Sequence, residues 1–437
     1  MALWLKSRGF DVAGSDICES DTIKNLREKF ISVQIGHDDV KEIKDSDLVV
    51  YSSAIKDDNS ELVFAKNSGK TVLKRAKMLA MMMDESEIRL AVCGSAGKSS
   101  TTGFLASVLT FAQKDPSVIV GGVFAGEENG MRIGNSESKY FLAEADEYDK
   151  SFLEMRNINL ALCTGLEAEH LDTYGNYDGV KDGFLQFFDR VDGKAVVCID
   201  SLGVREVYPS IKCEKVSYGF DSNADYRAID IKYRNALLSF SVLKNGQLLG
   251  KVMLKMIGNH NVLNALGAIA ASIELGISFD EAAKGVENFL GIKRRIEKVA
   301  EIKGIKIYDD YGHHPTKISA TLSALKQTNP KRIITIFQPH TFSRVRDFAK
   351  NFAESLENGS DIVFLTNIYA AREKPIDGIS EKSIAKFFKN KNSRIVAKED
   401  AVKEYCKIAE ENDVVVFMGA GDINIEIKKL IEELNNG

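Results

Sequence analysis

What this chain has little of narrows its class before any motif is read. Its six cysteines (Cys18, Cys93, Cys163, Cys198, Cys213, Cys406) stand far apart, and no two form a C-x-x-C pair. That argues against zinc-ligand spacing and a disulfide framework, and it predicts small, buried, reduced thiols in a cytoplasmic protein. No apolar run approaches the ~20 residues of a membrane span. "MLAMMM" at 78–83 is short and lies between Lys77 and Asp84, and the apolar part of "MALWLKSRGF" is too short for a signal peptide. A basic excess is missing too: the net charge of -5 gives no overall field toward nucleic acid or an acidic membrane. Internal repeats and low-complexity tracts are absent.

What is present suits several packed cores. The hydrophobic content is 44%, and 437 residues suggest about three domains at roughly 150 residues each. Short β-type runs alternate with helix-length amphipathic segments, the pattern of parallel α/β layers. "FDVAGSD" (10–16) and "DLVVYSSA" (47–54) read as strands in a first region, which a charged, Met-rich stretch (77–88) separates from the next. The second region holds "AVCGSAGKSSTT" (91–102), "YFLAEADEYD" (140–149), "LALCTGLEAEHLD" (160–172) and a β-rich insert near 213–256. It closes with a helix over 259–276 that Gly276 terminates. In the third region, "IKIYDD", "RIITIFQ", "DIVFLTN", "RIVAK" and "DVVVFMG" are apolar runs suited to strands buried on both faces. The expected boundaries are 1–87, 88–292 and 293–437.

The chemistry concentrates at "GSAGKSS" (94–100), an apolar strand running into a glycine turn and a helix. Gly94 and Gly97 let backbone N–H groups, with those of Ser95, Ala96 and Ser100, approach phosphate oxygens. Lys98 supplies a point charge and Ser99 a hydroxyl for Mg²⁺, while the helix start adds its positive end. Val92 stands where the longer phosphate-loop pattern has glycine, so the match is to a compact G-x-x-G-K-[ST] loop. Glu144 ends an apolar strand at the edge where open α/β sheets bind ligands. It could hold the Mg²⁺ that bridges the phosphates; the surrounding acids Asp146, Glu147 and Asp149 also read as a solvated loop. His170, between acids in "EAEHLD", reads equally as a structural histidine or a metal ligand. Asn261 and Asn264 share one helix face, and their amides can read a nucleotide or cap the helix.

Taken in order, "EADEYDKSFL" (144–153), "EAEHLDTYGNYDGVKDGFLQFF" (167–188), "GNHNVLNALGAIA" (258–270), "RRIE" (294–297), "DDYGHHPTKI" (309–318), "FQPHTFSRVRDF" (337–348), "YAAREKPI" (369–376) and "GAGDI" (419–423) resemble the successive signatures of the Mur ligase family. These enzymes build the peptidoglycan precursor, and the resemblance covers nearly the whole chain. It implies an α/β fold of three domains: Rossmann-like, then a central P-loop ATP-binding domain with a mostly parallel sheet, then Rossmann-like again. It implies ATP as substrate with Mg²⁺ held by Ser99, Glu144 and His170. Lys98, Glu144, His170 and Arg295 become the catalytic set, with Asn261, Asn264, Arg295 and Asp310 at ATP, where Asp310 meets the ribose. Asp16 falls near a UDP-sugar. Tyr311, His313, His340 and Arg344 form an amino-acid pocket in which Tyr311 limits the side chain to a methyl group; a surface basic cluster is the plainer reading of "HTFSRVR".

The activity implied is ATP-dependent joining of L-alanine to the lactyl carboxylate of UDP-N-acetylmuramate through an acyl phosphate, by a cytoplasmic monomer or homodimer. Two alternatives stay open: joining of L-Ala-γ-D-Glu-meso-diaminopimelate to the same acid, or nucleotide binding without ligation. The chain also departs from the family. Gly165 stands where relatives have asparagine, Glu169 where they have aspartate, and the opening glycine-rich turn for the UDP diphosphate is missing. The expectation is that the true start lies upstream and that the first domain, as written, lacks a strand.

Overall fold

A computed structural model of the chain describes residues 1–125, 130–135, 137–234, 237–371 and 373–436. Asn235 and Ala236 of the β-rich insert, and Arg372 of "YAAREKPI", lie outside the described residues. The chain divides into two compact units. One comprises Met1–Asp230, Phe240–Val252 and Leu263–Phe289; the other comprises Ile231–Ser239, Met253–Val262 and Leu290–Gly437.

The first unit opens with the helix Ala2–Ser7, and Gly9 turns the chain at φ 86°. Ala13–Asp16 pairs in parallel with Ser32–Ile35, and Leu48–Tyr51 pairs in parallel with Thr71–Lys74. Among the described residues no ladder joins the two pairs, so the Rossmann-like region stands as two parallel pairs. Glu61 helps tie the first pair to a helix: its buried carboxylate accepts from Ser15 Oγ (2.6 Å) and Gln34 Nε2 (2.8 Å).

The Met-rich stretch forms the helix Arg75–Asp84, whose Met78, Leu79, Met82 and Met83 are buried in one core with Trp4 and Phe141. Unbranched methionines fill the irregular gaps that the larger aromatic rings of this core leave. The thiols also divide differently: Cys93, Cys163 and Cys198 are buried, but Cys18 is exposed and Cys213 and Cys406 are half-buried, all six being free. Cys18 lies in the turn before the Ser20 helix cap, where no core is near enough to cover it.

A ten-stranded sheet forms the middle of the chain. Ile88–Cys93 lies between Tyr140–Glu144 and Ile158–Cys163, parallel to both, and Val191–Cys198 and Glu214–Gly219 continue the parallel run. Leu90, Val92, Leu142 and Leu162 are fully buried, as continuous apolar strands covered on both faces should be. Because these strands are parallel, their carboxyl ends deliver Gly94, Glu144 and Thr164 to one edge. The helix Asn259–Glu274 follows, and Gly276 leaves it at φ 82°.

The second unit carries a six-stranded sheet in the order Glu297–Ile302, Ile305–Asp310, Asp413–Met418, Arg332–Phe337, Ile362–Leu365, Ser393–Ile395. Only the first pair is antiparallel. Its central strands divide their side chains between two cores: Val414 and Val416 belong to one, Val415 and Phe417 to the other.

Candidate active site

The phosphate loop leaves the buried strand Ile88–Cys93 and enters the helix Lys98–Phe111 within four residues. Gly94 has φ 127°, and a side chain there would collide with Thr164 Oγ1 and the Gly165 backbone. Gly97 has φ 84°, and a Cβ would lie 2.5 Å from Asn264 Oδ1. Both glycines are thus required twice, by backbone conformation and by close approach. Neighbouring segments fix the loop between them: Ser95 N donates to Gly165 O (3.1 Å), Glu167 N to Ser95 Oγ (2.8 Å) and Thr164 Oγ1 to Ala96 O (2.5 Å). Asn264 braces the loop's helix by accepting from Thr101 Oγ1 at 3.2 Å. Asn261 is buried and its Nδ2 donates to Ile257 O at 2.8 Å, tying the first turn of its helix to the preceding segment.

Lys98 finds a partner that sequence reading placed only in an acid cluster. Its Nζ donates to both carboxylate oxygens of Glu147 (2.8 and 2.7 Å) and to Gly94 O (2.8 Å), with Asp146 at 3.9 Å. Glu147 is 2% exposed, whereas the neighbouring Asp146 side chain is 55% exposed. Burial pushes the Glu147 carboxyl above its usual range against the pull of Lys98. For Lys98 burial acts downward, but Glu147 and then Asp146 outweigh it and hold the ammonium charged. A 2.7 Å contact to a dry carboxylate is an ion pair at neutral pH. Glu144 lies at the strand end beside Gly121, where a Cβ would come within 2.9 Å of Glu144 Oε2, and its charge also reaches Lys98.

His170 takes the left-handed conformation (φ 57°, ψ 39°) just before the helix Leu171–Tyr174, with its ring edge-to-face on Tyr148. Among the described residues, Glu147, Glu169 and His170 offer ligand atoms that all lie within 4.8 Å of one another. Two carboxylates and one imidazole fit a divalent cation, with oxygen donors in the majority as Mg²⁺ prefers. Glu144, expected as a ligand, is not one of the three. Glu169 keeps a carboxylate at the position that departs from relatives. A side chain at Gly165 would meet nothing nearer than Ser201 Oγ at 3.6 Å, so that departure has little steric consequence.

Asp16 ends its strand exposed, its carboxylate accepting from Ile17 N at 2.7 Å. A cleft of about 600 Å³ lined by Asp192, Lys194 and Glu214 lies at the opposite, amino end of the parallel strands and shares no residue with this cluster. Ligands in open α/β sheets collect at the carboxyl ends.

In the second unit Arg295 sits between two residues of positive φ, Arg294 (61°) and the β-branched Ile296 (48°). Such conformations cost roughly 1–3 kcal/mol each and persist only where surroundings impose them. Three bonds impose them here: Arg294 N to Glu297 Oε2 (2.7 Å), Ile296 N to Asp310 Oδ2 (2.9 Å) and Tyr311 N to Arg294 O (2.8 Å). Arg294 itself is a brace, donating to Gly419 O (2.7 Å) and Gly421 O (3.1 Å). Asp310, expected at a ribose, is buried beneath this turn and also accepts from Gly312 N (2.8 Å) and Thr321 Oγ1 (3.0 Å). Its carboxylate is spent on its own chain.

Tyr311, His313 and His340 do come together. Ring centroids lie 5.3 Å apart between Tyr311 and His313 and 6.0 Å between His313 and His340. A fourth ring, Tyr369, stacks on His340 at 5.8 Å. The histidines are neutral: burial, then Lys317 and Arg344, hold His313 down to about 2, and burial, then Arg344, lowers His340. Their tautomers are opposite. His313 Nδ1 faces the Tyr311 carbonyl at 2.8 Å, so it carries the proton and leaves Nε2 as acceptor. Arg344 Nη1, which can only donate, meets His340 Nδ1 at 3.1 Å, leaving Nε2–H as donor there.

The geometry has a counterpart in known proteins. Residues 1–87 match the model for the Mur ligase family catalytic domain, 92–272 the Mur ligase middle domain, and 294–421 the Mur ligase glutamate ligase domain. The UDP-N-acetylmuramate–L-alanine ligase of Sorangium cellulosum is 38% identical over 435 residues, 98% of this chain and 92% of that protein. Its namesake in Geotalea daltonii is 35% identical over 436 residues, covering 98% and 94%. The solved UDP-N-acetylmuramate-alanine ligase of Thermotoga maritima superposes with a TM-score of 0.84 at 28% identity, covering 100% of this chain and 96% of that one. A murein peptide ligase from Psychrobacter arcticus shares the fold at a TM-score of 0.71 and 23% identity. With a loop and charge cluster built for phosphate, and three domain models matched in series along its length, the chain belongs to the Mur ligase family.

Proposed function

We propose that this chain uses ATP to join L-alanine to the lactyl carboxylate of UDP-N-acetylmuramate in the cytoplasm, the reaction for which its full-length relatives are named. The observation that carries the chemistry is the lysine of a glycine-braced loop, paired to a buried carboxylate beside an acidic, cation-fitting cluster. A carboxylate does not condense with an amine at neutral pH, because its oxygen is a very poor leaving group. In the proposed reaction a carboxylate oxygen attacks the γ-phosphorus, ADP departs, and an acyl phosphate forms. The neutral amine of L-alanine then attacks the acyl carbon, and the C–O bond to phosphate breaks from the tetrahedral adduct, the departing phosphate taking up the proton that the nitrogen loses, so atoms and charge balance.

The loop N–H groups of residues 94–100 and Lys98 hold the triphosphate, with Asn264 fixing the loop and Asn261 fixing the start of its own helix. Glu147, Glu169 and His170 would hold Mg²⁺, with Ser99 and Glu144 as further oxygen donors in the reading from sequence, and the ion would supply charge screening between the triphosphate and the incoming carboxylate. Arg295 meets phosphate oxygens with a planar fork that its strained turn aims. In the second unit, His340 Nε2–H and Arg344 donate to the alanine carboxylate while His313 Nε2 accepts from its amine. Two neutral imidazoles of opposite polarity suit the two ends of an amino acid.

The test is phosphate release by the purified chain with ATP and each combination of UDP-N-acetylmuramate, L-alanine and L-Ala-γ-D-Glu-meso-diaminopimelate. The expected result is release only when the acid and L-alanine are both present. Turnover without the acid would move the chain to a nucleotide-driven ATPase, and preference for the tripeptide would move it to the recycling reaction.

A further inference from the structure

We propose that Tyr369 is a specificity-determining residue of the amino-acid pocket, the wall that limits the side chain this enzyme accepts. The inference rests on the reading above that the His313–His340–Arg344 cluster receives the amino acid. Sequence analysis gave the size limit to Tyr311, but the surroundings of Tyr311 point elsewhere. Two guanidinium groups lie over its ring, Arg294 at 5.1 Å and Arg295 at 5.3 Å, and His313 meets it edge-on. Tyr311 therefore serves the arginine turn, and its ring is already contacted from several sides.

Tyr369 stands at the other end of the row. It lies 21° from parallel with His340 and is 37% exposed, so the ring is anchored through His340 and open to incoming molecules. Its backbone is pinned rather than loose: Tyr369 N donates to Pro339 O (2.8 Å) and Thr341 N to Tyr369 O (2.9 Å), an isolated parallel bridge. Thr341, a β-branched residue, is held at φ 68° and ψ 143° beside it. Such a conformation persists only where the surrounding structure imposes it. Gly421 makes the placement possible, since a Cβ there would lie 2.6 Å from Tyr369 Cγ. A missing side chain at 421, a strained threonine and a β-bridge all serve to hold one aromatic ring against the histidine that orients the carboxylate. A rigid, partly exposed ring beside that histidine bounds the space open to the side chain of an amino acid held there.

The experiment compares kcat/KM for L-alanine with that for L-2-aminobutyrate and L-valine, in the full chain and in Tyr369→Ala, Tyr369→Phe and Tyr311→Phe. Tyr369→Ala is expected to shift the ratio at least ~10-fold toward the larger amino acids, mostly through KM, the size expected for an added methylene or two in a pocket. Tyr369→Phe and Tyr311→Phe are expected to keep the ratio. If Tyr369→Ala lowers all three substrates equally, or if Tyr311→Phe moves the ratio instead, the inference is overturned. Tyr369→Leu replaces the alanine variant if circular dichroism shows that variant unfolded, with the same two outcomes. An unmutated chain that ignores L-alanine while using the tripeptide overturns the functional reading, and this inference with it.

Discussion

The phosphate region of the first unit and the ring row of the second are built on opposite principles. Around Lys98 the structure concentrates charge and removes water: an ammonium 2.7 Å from a carboxylate that is 2% exposed, on a loop whose glycines admit no side chain. Around His340 it does the reverse, keeping both imidazoles neutral and arranging four rings by stacking and edge contact. A polyanion needs fixed charge in a dry setting, where each charge is worth most. A small amino acid carries both signs on neighbouring atoms, so shape and oriented neutral dipoles discriminate better than net charge. The difference teaches that the two regions suit ligands of different charge and shape, so damage to each should have a different signature.

The largest contrast is expected from Lys98→Ala, which should lower phosphate release by at least ~1000-fold. It should also destabilise the first unit by roughly 3 kcal/mol, because Glu147 is left buried without its partner. Adding Glu147→Gln to Lys98→Ala should restore most of that stability but none of the activity. A double variant no more stable than the single one would break the ion-pair half of the comparison. Next in size, Arg295→Ala should reduce kcat by roughly 100-fold, with a smaller drop in melting temperature than Arg294→Ala. Arg294→Ala should lower kcat by less and cost about 2 kcal/mol in stability, since it removes the bonds to Gly419 and Gly421. Equal melting temperatures for the two variants would contradict the division between presented and bracing arginine.

The smallest effect is in pH. His260 and His313 are held by burial to about 4 and about 2, with Arg295 acting on the first and Lys317 and Arg344 on the second. The unfolded chain therefore binds more protons below the ordinary histidine pKa of about 6.5, and stability should fall as pH drops from about 7 to about 5. A loss of about 1 kcal/mol per histidine is expected after solvent screening, read as a lower melting temperature. His313→Gln should flatten that slope; an unchanged slope would show that the ring row is not where the proton is refused.

Local patterns carried much of this into view and long-range packing hid the rest. "RIITIFQ" and "DVVVFMG" announce buried parallel strands because every residue is apolar, and "GSAGKSS" announces a phosphate loop because its residues act together in sequence. Glu147 could not be separated from Asp146, since both sit in one acidic run and only the fold buries one of them. Tyr369 was quoted within a motif, but its partner His340 is reached only through a bridge between distant segments. "MLAMMM" shows its flanking charges in sequence, while the core that its methionines enter is built from distant segments. The support that Asp310 gives to the Arg294–Ile296 turn was not legible, because that turn lies on a separate segment of the chain.

The central claim is that the carboxylate of the sugar acid is phosphorylated before the amine arrives. Label the lactyl carboxylate of UDP-N-acetylmuramate with heavy oxygen, run the reaction with ATP and L-alanine, and weigh the released phosphate by mass spectrometry. The account predicts that each phosphate carries away a carboxylate oxygen, one label per amide formed. Phosphate free of label, with amide still accumulating, would contradict it.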